Sequence, residues 1–318
     1  MRKKLIWYLI LTAAVVVINF FLPRMLPGSP LRTLGADDTT LTEIERAQIY
    51  QAYGLHLPMH RQFGVYLRSL FTGDLGVSFS RRAPITTILA AALPWTALLS
   101  IASTIVSLIA GSLLGSLSVR LRRRGRDVPF ILTVALIGSF PAFWVGMVLI
   151  AIFGVNLGVL PIYGAYSMWS GYTGIRHVLD VLAHMVLPVV TMSVGSLMIF
   201  FTTMRAGLLS VLGEDYIKLA DARGLSRRRI LFFYQWRNAV IPVFTVLMMH
   251  LGFVISGSII IEAVFSYPGL GTVLYQAVLA RDYPLMQYSF LLIALVVIIA
   301  NLMADLCYPI LDPRIRKT

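Results

Sequence analysis

His56 and His60 stand four residues apart, the spacing at which two imidazoles on one helix face can hold a metal ion. Pro58 lies between them and opposes a regular helix, so an ordinary polar loop competes with the metal reading. His184, His250 and Glu262 fall inside or at the end of long apolar runs, where a polar residue is a functional candidate by default. For the histidines the competing role is a helix-to-helix hydrogen bond; for Glu262 it is end-capping or snorkelling. None belongs to a motif with a reaction attached. There is no G-x-x-x-x-G-K-[ST] to cradle phosphates, no H-E-x-x-H and no G-x-S-x-G. The single cysteine, Cys307, allows neither a disulfide framework nor a cysteine-based zinc site. What remains is one strongly cationic interval, Arg205 to Pro242, set between apolar runs.

The solvent around these residues follows from composition. Hydrophobic residues make up 58% and charged residues 13% of the 318, and the mean hydropathy is +0.81. That leaves too little polar surface to cover a soluble globule, so the expected class is an all-α membrane protein. The net charge of +13 would suggest nucleic acid in a soluble protein; here it reads as the cationic flank of membrane spans, with membrane lipid as its partner and no nucleic acid.

Six spans are expected. Leu5–Leu22 follows three cations and ends at Pro23, so it reads as a retained anchor. Residues 26–92 are too polar to span. Within them 41–53 reads as a helix with a Thr42/Glu45 capping box, and Gln62–Phe71 as an amphipathic helix ended by Gly73. The second span is Trp95–Ser118, with Gly111 and Gly115 spaced for close helix contact. Phe130–Phe153 is the third, interrupted at Pro141, and 154–175 reads as loop. Val181–Met204 is the fourth and contains Pro188; the fifth lies between Arg237 and Glu262, the sixth between Asp282 and Asp305. The domain organisation expected is 1–25, 26–92 outside the membrane, and a core over 93–318. The N-terminus, the 120–126 cluster, the 205–237 loop and the C-terminus hold 18 of the 27 Lys and Arg. By the positive-inside bias both termini are expected in the cytoplasm.

Within the cationic interval, Glu214 and Asp215 favour a helix start and Gly224 a left-handed stop, so the spacing predicts a short helix over Asp215–Arg223. Ile217, Ala220 and Leu225 would form a small apolar ridge on it, and Ser226 would cap the next helix. By physics alone a docking surface and a lipid-facing cationic loop are both open.

The pattern D-Y-I-x-x-A-x-A-[RK]-G-L-S-x-x-R-[IV]-L…R-N-A-x-I-P, here Asp215 to Pro242, resembles the cytoplasmic loop of permease subunits of binding-protein-dependent ABC importers. It is most similar to the first permease of the dipeptide/oligopeptide/nickel family. Leu26–Pro30, Tyr53-Gly54-Leu55, Gly73–Ser78, Glu262–Phe265, Pro268–Gly271 and Leu311–Arg314 match that family in order along the chain. Lys218-Leu219-Ala220 and Trp236-Arg237 depart from the general importer loop but agree with the peptide subfamily, whereas His56 and Ser29 stand where that subfamily commonly has aspartate.

The resemblance implies a type I ABC importer permease fold with six transmembrane helices, an extracytoplasmic helical segment, and a coupling loop over 205–238. ATPase coupling would fall to Asp215, Tyr216, Ile217, Ala220, Arg223, Gly224, Leu225 and Ser226, and a pathway or gate to His250, Glu262, Pro141 and Pro188, the prolines as bend points. The chain itself would hold no cofactor and catalyse nothing; ATP and magnesium would sit on two partner ATP-binding subunits. A second homologous permease and an extracytoplasmic binding protein would complete an importer of di- or oligopeptides in the cell membrane. The competing readings are a self-sufficient secondary transporter or channel, an intramembrane enzyme, and, within the family, a nickel or oligosaccharide substrate.

Overall fold

The computed structural model describes residues 2–25, 57–122 and 124–311. The expected helix over 41–53, its Thr42/Glu45 box, the Leu26–Pro30 and Tyr53–Leu55 motifs, Ser29, His56 and the last residues of the C-terminal motif lie outside them. The described chain is helical: α1 Arg2–Met25, α2 Met59–Thr72, α3 Ile85–Arg122, α4 Asp127–Ser139, α5 Ala142–Leu149, α6 Ile175–Val211, α7 Asp215–Ala222, α8 Arg227–Arg229, α9 Arg237–Val264, α10 Leu270–Leu279 and α11 Tyr283–Leu311. Two π-helical stretches, Ile150–Asn156 after α5 and Ile230–Trp236 before α9, extend their neighbours. Among the described residues five helices are long and apolar enough to cross a membrane, six if the bent pair α4 and α5 counts as one span.

That bend is where the third span departs from its expected form. At about 1.5 Å per residue, the 13 residues of α4 cover roughly 20 Å, short of a ~30 Å hydrocarbon core. The chain then turns by 90° into α5 and its π-helical extension. The cause is local: Phe140, preceding a proline, is extended (ψ 140°), and Pro141 has no N–H to continue the ladder. Pro188 behaves differently, lying buried inside the unbroken α6. Of the two expected bend points, only Pro141 breaks its helix. The short apolar α10 within 265–282 was not foreseen from the sequence.

The chain divides into two compact units, Met1–Thr96 with Pro268–Ile298, and Ala97–Tyr267 with Ile299–Thr318. In the first, α2 matches its expected amphipathic face, with Tyr66 buried and Gly73 left-handed (φ 73°) at its end. Burial pushes the Tyr66 hydroxyl above its ordinary pKa, with hydrogen bonds from Asn19 and Gln287 acting in the opposite sense. Asn19 Nδ2 donates to the Gln287 carbonyl at 2.8 Å and to the Tyr66 hydroxyl at 3.3 Å, so one polar side chain in α1 ties α1, α2 and α11. Arg24 adds a bond to Gln287 Oε1 at 3.0 Å and stacks over Phe20 at 3.7 Å. The fully buried Asp282 caps α11 through the Leu285 N–H at 3.1 Å. Its other oxygen accepts from Ser78 Oγ at 2.6 Å and from Ser80 N and Oγ at 2.9 and 2.8 Å. A buried carboxylate is thus paired with four donors, which is what its burial requires.

The second unit is organised around α6. Small residues recur every fourth position on α3, at Ser103, Ser107, Gly111 and Gly115, and let the two backbones touch. A Cβ on Gly111 would sit 2.7 Å from Phe200 Cβ, and one on Gly115 2.7 Å from the Phe201 carbonyl oxygen. Ser107 Oγ donates to the Ser193 carbonyl at 3.2 Å and Ser193 Oγ to the Ser103 carbonyl at 3.1 Å. On the other side of α6, a Cβ on Gly207 would lie 2.8 Å from the Ala239 carbonyl oxygen of α9. The expected glycine contact is therefore the seam itself. Gly111→Ala is expected to lower the thermal unfolding midpoint of the detergent-solubilised chain, at a cost of about 1–3 kcal/mol from overpacking. Gly138→Ala, whose Cβ would make an ordinary 3.5 Å contact, should leave the midpoint near its starting value.

Candidate functional site

The short helix α7 begins after Glu214, which is extended (ψ 143°), and puts Asp215 in its first turn, favourable to the helix dipole. Neither Glu214 nor Ser226 makes a side-chain cap bond; each serves through its backbone carbonyl, Ser226 accepting from the Ile230 N–H at 3.0 Å. The stop is a complete Schellman motif: the Gly224 N–H bonds the Asp221 carbonyl at 2.9 Å and the Leu225 N–H bonds the Ala220 carbonyl at 3.3 Å. Gly224 has φ 72°, which a Cβ would disfavour even though nothing lies within 4 Å of the place it would occupy.

The orientation of α7 shows which way its apolar ridge faces. Ile217 and Ala220 are buried at 7% and 2% exposure against Val211 and Ile230, with Leu225 and Tyr234 packed onto them. The apolar ridge therefore anchors α7 to its own chain and offers nothing outward, because the end of α6 and the start of the π-helical stretch supply nearer apolar partners. The exposed residues of α7 and its cap are Tyr216, Lys218, Leu219, Asp221, Ala222 and Arg223, with Leu219 53% exposed; Lys218 and Asp221 border the groove toward α3. Lys218 pairs with Asp215 at 2.8 Å, a surface ion pair of little energetic weight.

Two residues without an expected role hold this end of the unit. Asn238 Nδ2 donates to the Tyr216 hydroxyl at 2.9 Å and to the Tyr234 carbonyl at 3.0 Å, linking α9 to α7. Arg205, counted in the sequence only as a cytoplasmic cation, donates to Ser118 Oγ and to Asp127 Oδ2, both at 3.0 Å. It ties α6 to the end of α3 and the start of α4. Asp127 directly after the 120–126 arginines was the available signal, but the sequence does not say which arginine it meets. Gly207 packs on Ala239 one turn away, and Phe200, Met204, Leu208 and Val243 close a core beside them.

The pathway candidates are placed apart from α7. His250 Nε2 lies 2.8 Å from Ser196 Oγ and meets the Phe200 ring edge-on, a hydrogen bond between α9 and α6. His184 is buried, and its Nδ1 donates to the Asp180 carbonyl at 2.8 Å within α6, while Ser167 holds the Asp180 carboxylate. His250 thus makes the helix-to-helix bond weighed for it, whereas His184 bonds within its own helix. Glu262 is fully buried near the end of α9, its carbonyl accepting from the Tyr267 N–H at 2.8 Å; Pro141 stands at the α4–α5 break and Pro188 within α6. Among the described residues no group of three or more His, Cys, Asp or Glu is placed to hold a metal.

Several membrane-length helices, with a capped, polar helix hung between α6 and α9, are the frame of a multi-pass membrane protein. The family model for the inner membrane component of binding-protein-dependent transport systems matches residues 103–317, and the chain belongs to that family. It is 37% identical over 317 residues to the glutathione transport system permease protein GsiC of Escherichia coli, covering 99% of this chain and 97% of that one. It is 31% identical over 302 residues to the oligopeptide transport system permease protein AppB of Bacillus subtilis, covering 95% and 94%. Among solved structures, a chain of the MetNI methionine ABC transporter in an inward facing conformation superposes with a TM-score of 0.56 at 16% identity, covering 71% of this chain and 96% of that one, a likeness of fold. The chain is thus a transport subunit of an ABC importer, with ATP hydrolysis on a separate subunit.

Gly224→Val is expected to fray α7, costing about 1–2 kcal/mol for an unfavourable left-handed residue. Gly224→Asn should be nearly neutral. Amide hydrogen exchange across 215–225 in the detergent-solubilised chain reads the difference.

Proposed function

We propose that this chain is the first of two homologous permeases of a peptide importer, and that α7 is the helix on which a partner ATPase acts. The observation that carries the substrate class is similarity over nearly the full length to permeases named for glutathione and for oligopeptides. A di- or oligopeptide, rather than nickel or an oligosaccharide, is the solute. The second permease completes the pathway, two ATP-binding subunits hold ATP and magnesium, and an extracytoplasmic binding protein delivers the peptide. The chain lies in the inner membrane with both termini and α7 in the cytoplasm, supported by the bias of arginine and lysine toward those segments. Residues 26–92 then lie on the extracytoplasmic side, ahead of a permease core over 93–318.

Coupling divides between two faces of α7. Tyr216, Leu219 and Arg223 meet the ATPase groove, while Ile217, Ala220 and Leu225 bind the helix to the end of α6 and to the π-helical stretch before α9; Gly224 and Ser226 set its exit. Closure of the ATPase pair shifts α7, and ATP drives transport through its differential affinity for the two end states. Pro141, Pro188, His250 and Glu262 remain the pathway candidates, Pro141 as the break between two half-length helices.

In vesicles holding both permeases, both ATPase subunits and the binding protein, peptide is expected to stimulate ATP hydrolysis and to accumulate inside. Leu219→Arg should weaken retention of the ATPase subunits by roughly tenfold or more, as loss of a central apolar anchor does, while insertion of the permease is unchanged. Proton- or sodium-driven uptake by this chain alone would refute the reading.

A further inference from the structure

Beside α7 the second unit has an open cavity of about 780 Å³. It is bounded by the end of α3, the end of α6, the Ile217, Lys218 and Asp221 side of α7, and the chain from Arg227 to Gln235. Five cations line it, Arg120, Arg124, Lys218, Arg227 and Arg228, against one carboxylate, Asp221. Lys218 already pairs with Asp215, but the four guanidiniums have no ion pair or side-chain hydrogen bond among the described residues. Gathering that many like charges around one concavity is unfavourable unless an anion enters it. Guanidinium forks match the oxygens of a phosphate in particular, with two parallel N–H bonds to each.

Apart from Ser116 and Gln235, the rest of the wall is apolar. Leu117 and Leu121, one turn apart on α3, face the same space as Leu212 just after α6 and Leu231 of the π-helical stretch. The expected second span ends at Ser118, between Leu117 and Arg120, so on the α3 side the cavity lies at the level where headgroups are expected to meet hydrocarbon. A free inorganic phosphate would use the arginines and leave the leucines wet, and an acidic protein surface would meet the outward face of α7 rather than enter a concavity. An amphiphile with a negative head uses both walls, and cationic pockets between helices at the cytoplasmic boundary are the usual home of anionic headgroups.

We propose that this cavity binds the phosphate headgroup of an anionic phospholipid, its acyl chains leaving along Leu117, Leu121, Leu212 and Leu231. The headgroup bridges Arg120 and Arg124 of α3 to Arg227 and Arg228 beyond α7. It thereby neutralises the cluster and braces α7 against the end of α3. The site is independent of which solute the importer carries, so its failure and a failure of the peptide reading are separate results.

The test uses the full chain in neutral detergent, titrated with phosphatidylglycerol or phosphatidylcholine and read by native mass spectrometry, with hydrogen exchange over α7 as the second readout. Phosphatidylglycerol is expected to be retained preferentially and to slow exchange in 215–225. The Arg120→Gln/Arg228→Gln pair should weaken retention by roughly tenfold or more, since each interfacial cation contributes on the order of 1 kcal/mol. Arg122→Gln/Arg126→Gln removes the same charge from exposed residues outside the cavity and should leave retention unchanged. Equal losses in the two pairs, or no preference over phosphatidylcholine, would overturn the site. Displacement of the lipid by millimolar inorganic phosphate, with the same slowing of exchange, would make the occupant a free anion and overturn the lipid assignment. Loss of the lipid when the ATPase subunits bind would show that the cavity belongs to that interface instead.

Discussion

The approach of α6 to α3 and α9 without intervening side chains is the constraint on which the second unit depends. Between helices in lipid there is no hydrophobic drive, because the tails are as apolar as leucine; association rests on contact and on polar groups that find each other. Gly111, Gly115 and Gly207 supply the contact, and the hydroxyls of Ser107 and Ser193 add hydrogen bonds to the Ser193 and Ser103 carbonyls along the same seam. Everything at the far end follows from that seam. Val211, the last residue of α6, is one wall of the pocket that receives Ile217 and Ala220, so α7 is placed by the helix it follows. The Asn238–Tyr216 bond makes the same attachment from α9.

Beyond the mid-span serine contacts and the His250–Ser196 bond, each unit has a polar side chain that gathers several partners at a helix end. Asp282 serves as cap for α11 and as receptor for the Ser78–Ser80 turn, and Arg205 joins three helices through Ser118 and Asp127. Such groups are satisfied by several partners at once, which makes them geometric locks: losing any partner leaves a buried polar atom unpaired. The unsatisfied charge is concentrated elsewhere, in the arginines around the cavity beside α7, where an external partner has room to enter.

Local signals were the legible ones. The helix over Asp215–Arg223, its stop at Gly224, the amphipathic α2 and the glycine pair of α3 each depend on neighbours a few residues away, and each is present. Pro141 and Pro188 show the boundary of that legibility. Both remove a hydrogen bond, yet one ends its helix with a right-angle turn and the other sits in a straight run, because α6 is packed along its length on two sides. The apolar ridge of α7 is the sharper case. Periodicity located Ile217, Ala220 and Leu225 on one side but could not say whether that side faced a partner or the chain itself.

Amino-acid types and their order alone determined the solvent, the number of apolar runs, the family pattern and the place of the short helix, since each rests on composition or on contacts within a turn or two. Tertiary structure alone decided which face of α7 is free, which arginine meets Asp127, what holds His250, and that five cations surround one cavity. Those meetings reach beyond a turn or two of the chain, and side-chain period carries no information about which other surface a helix will turn toward.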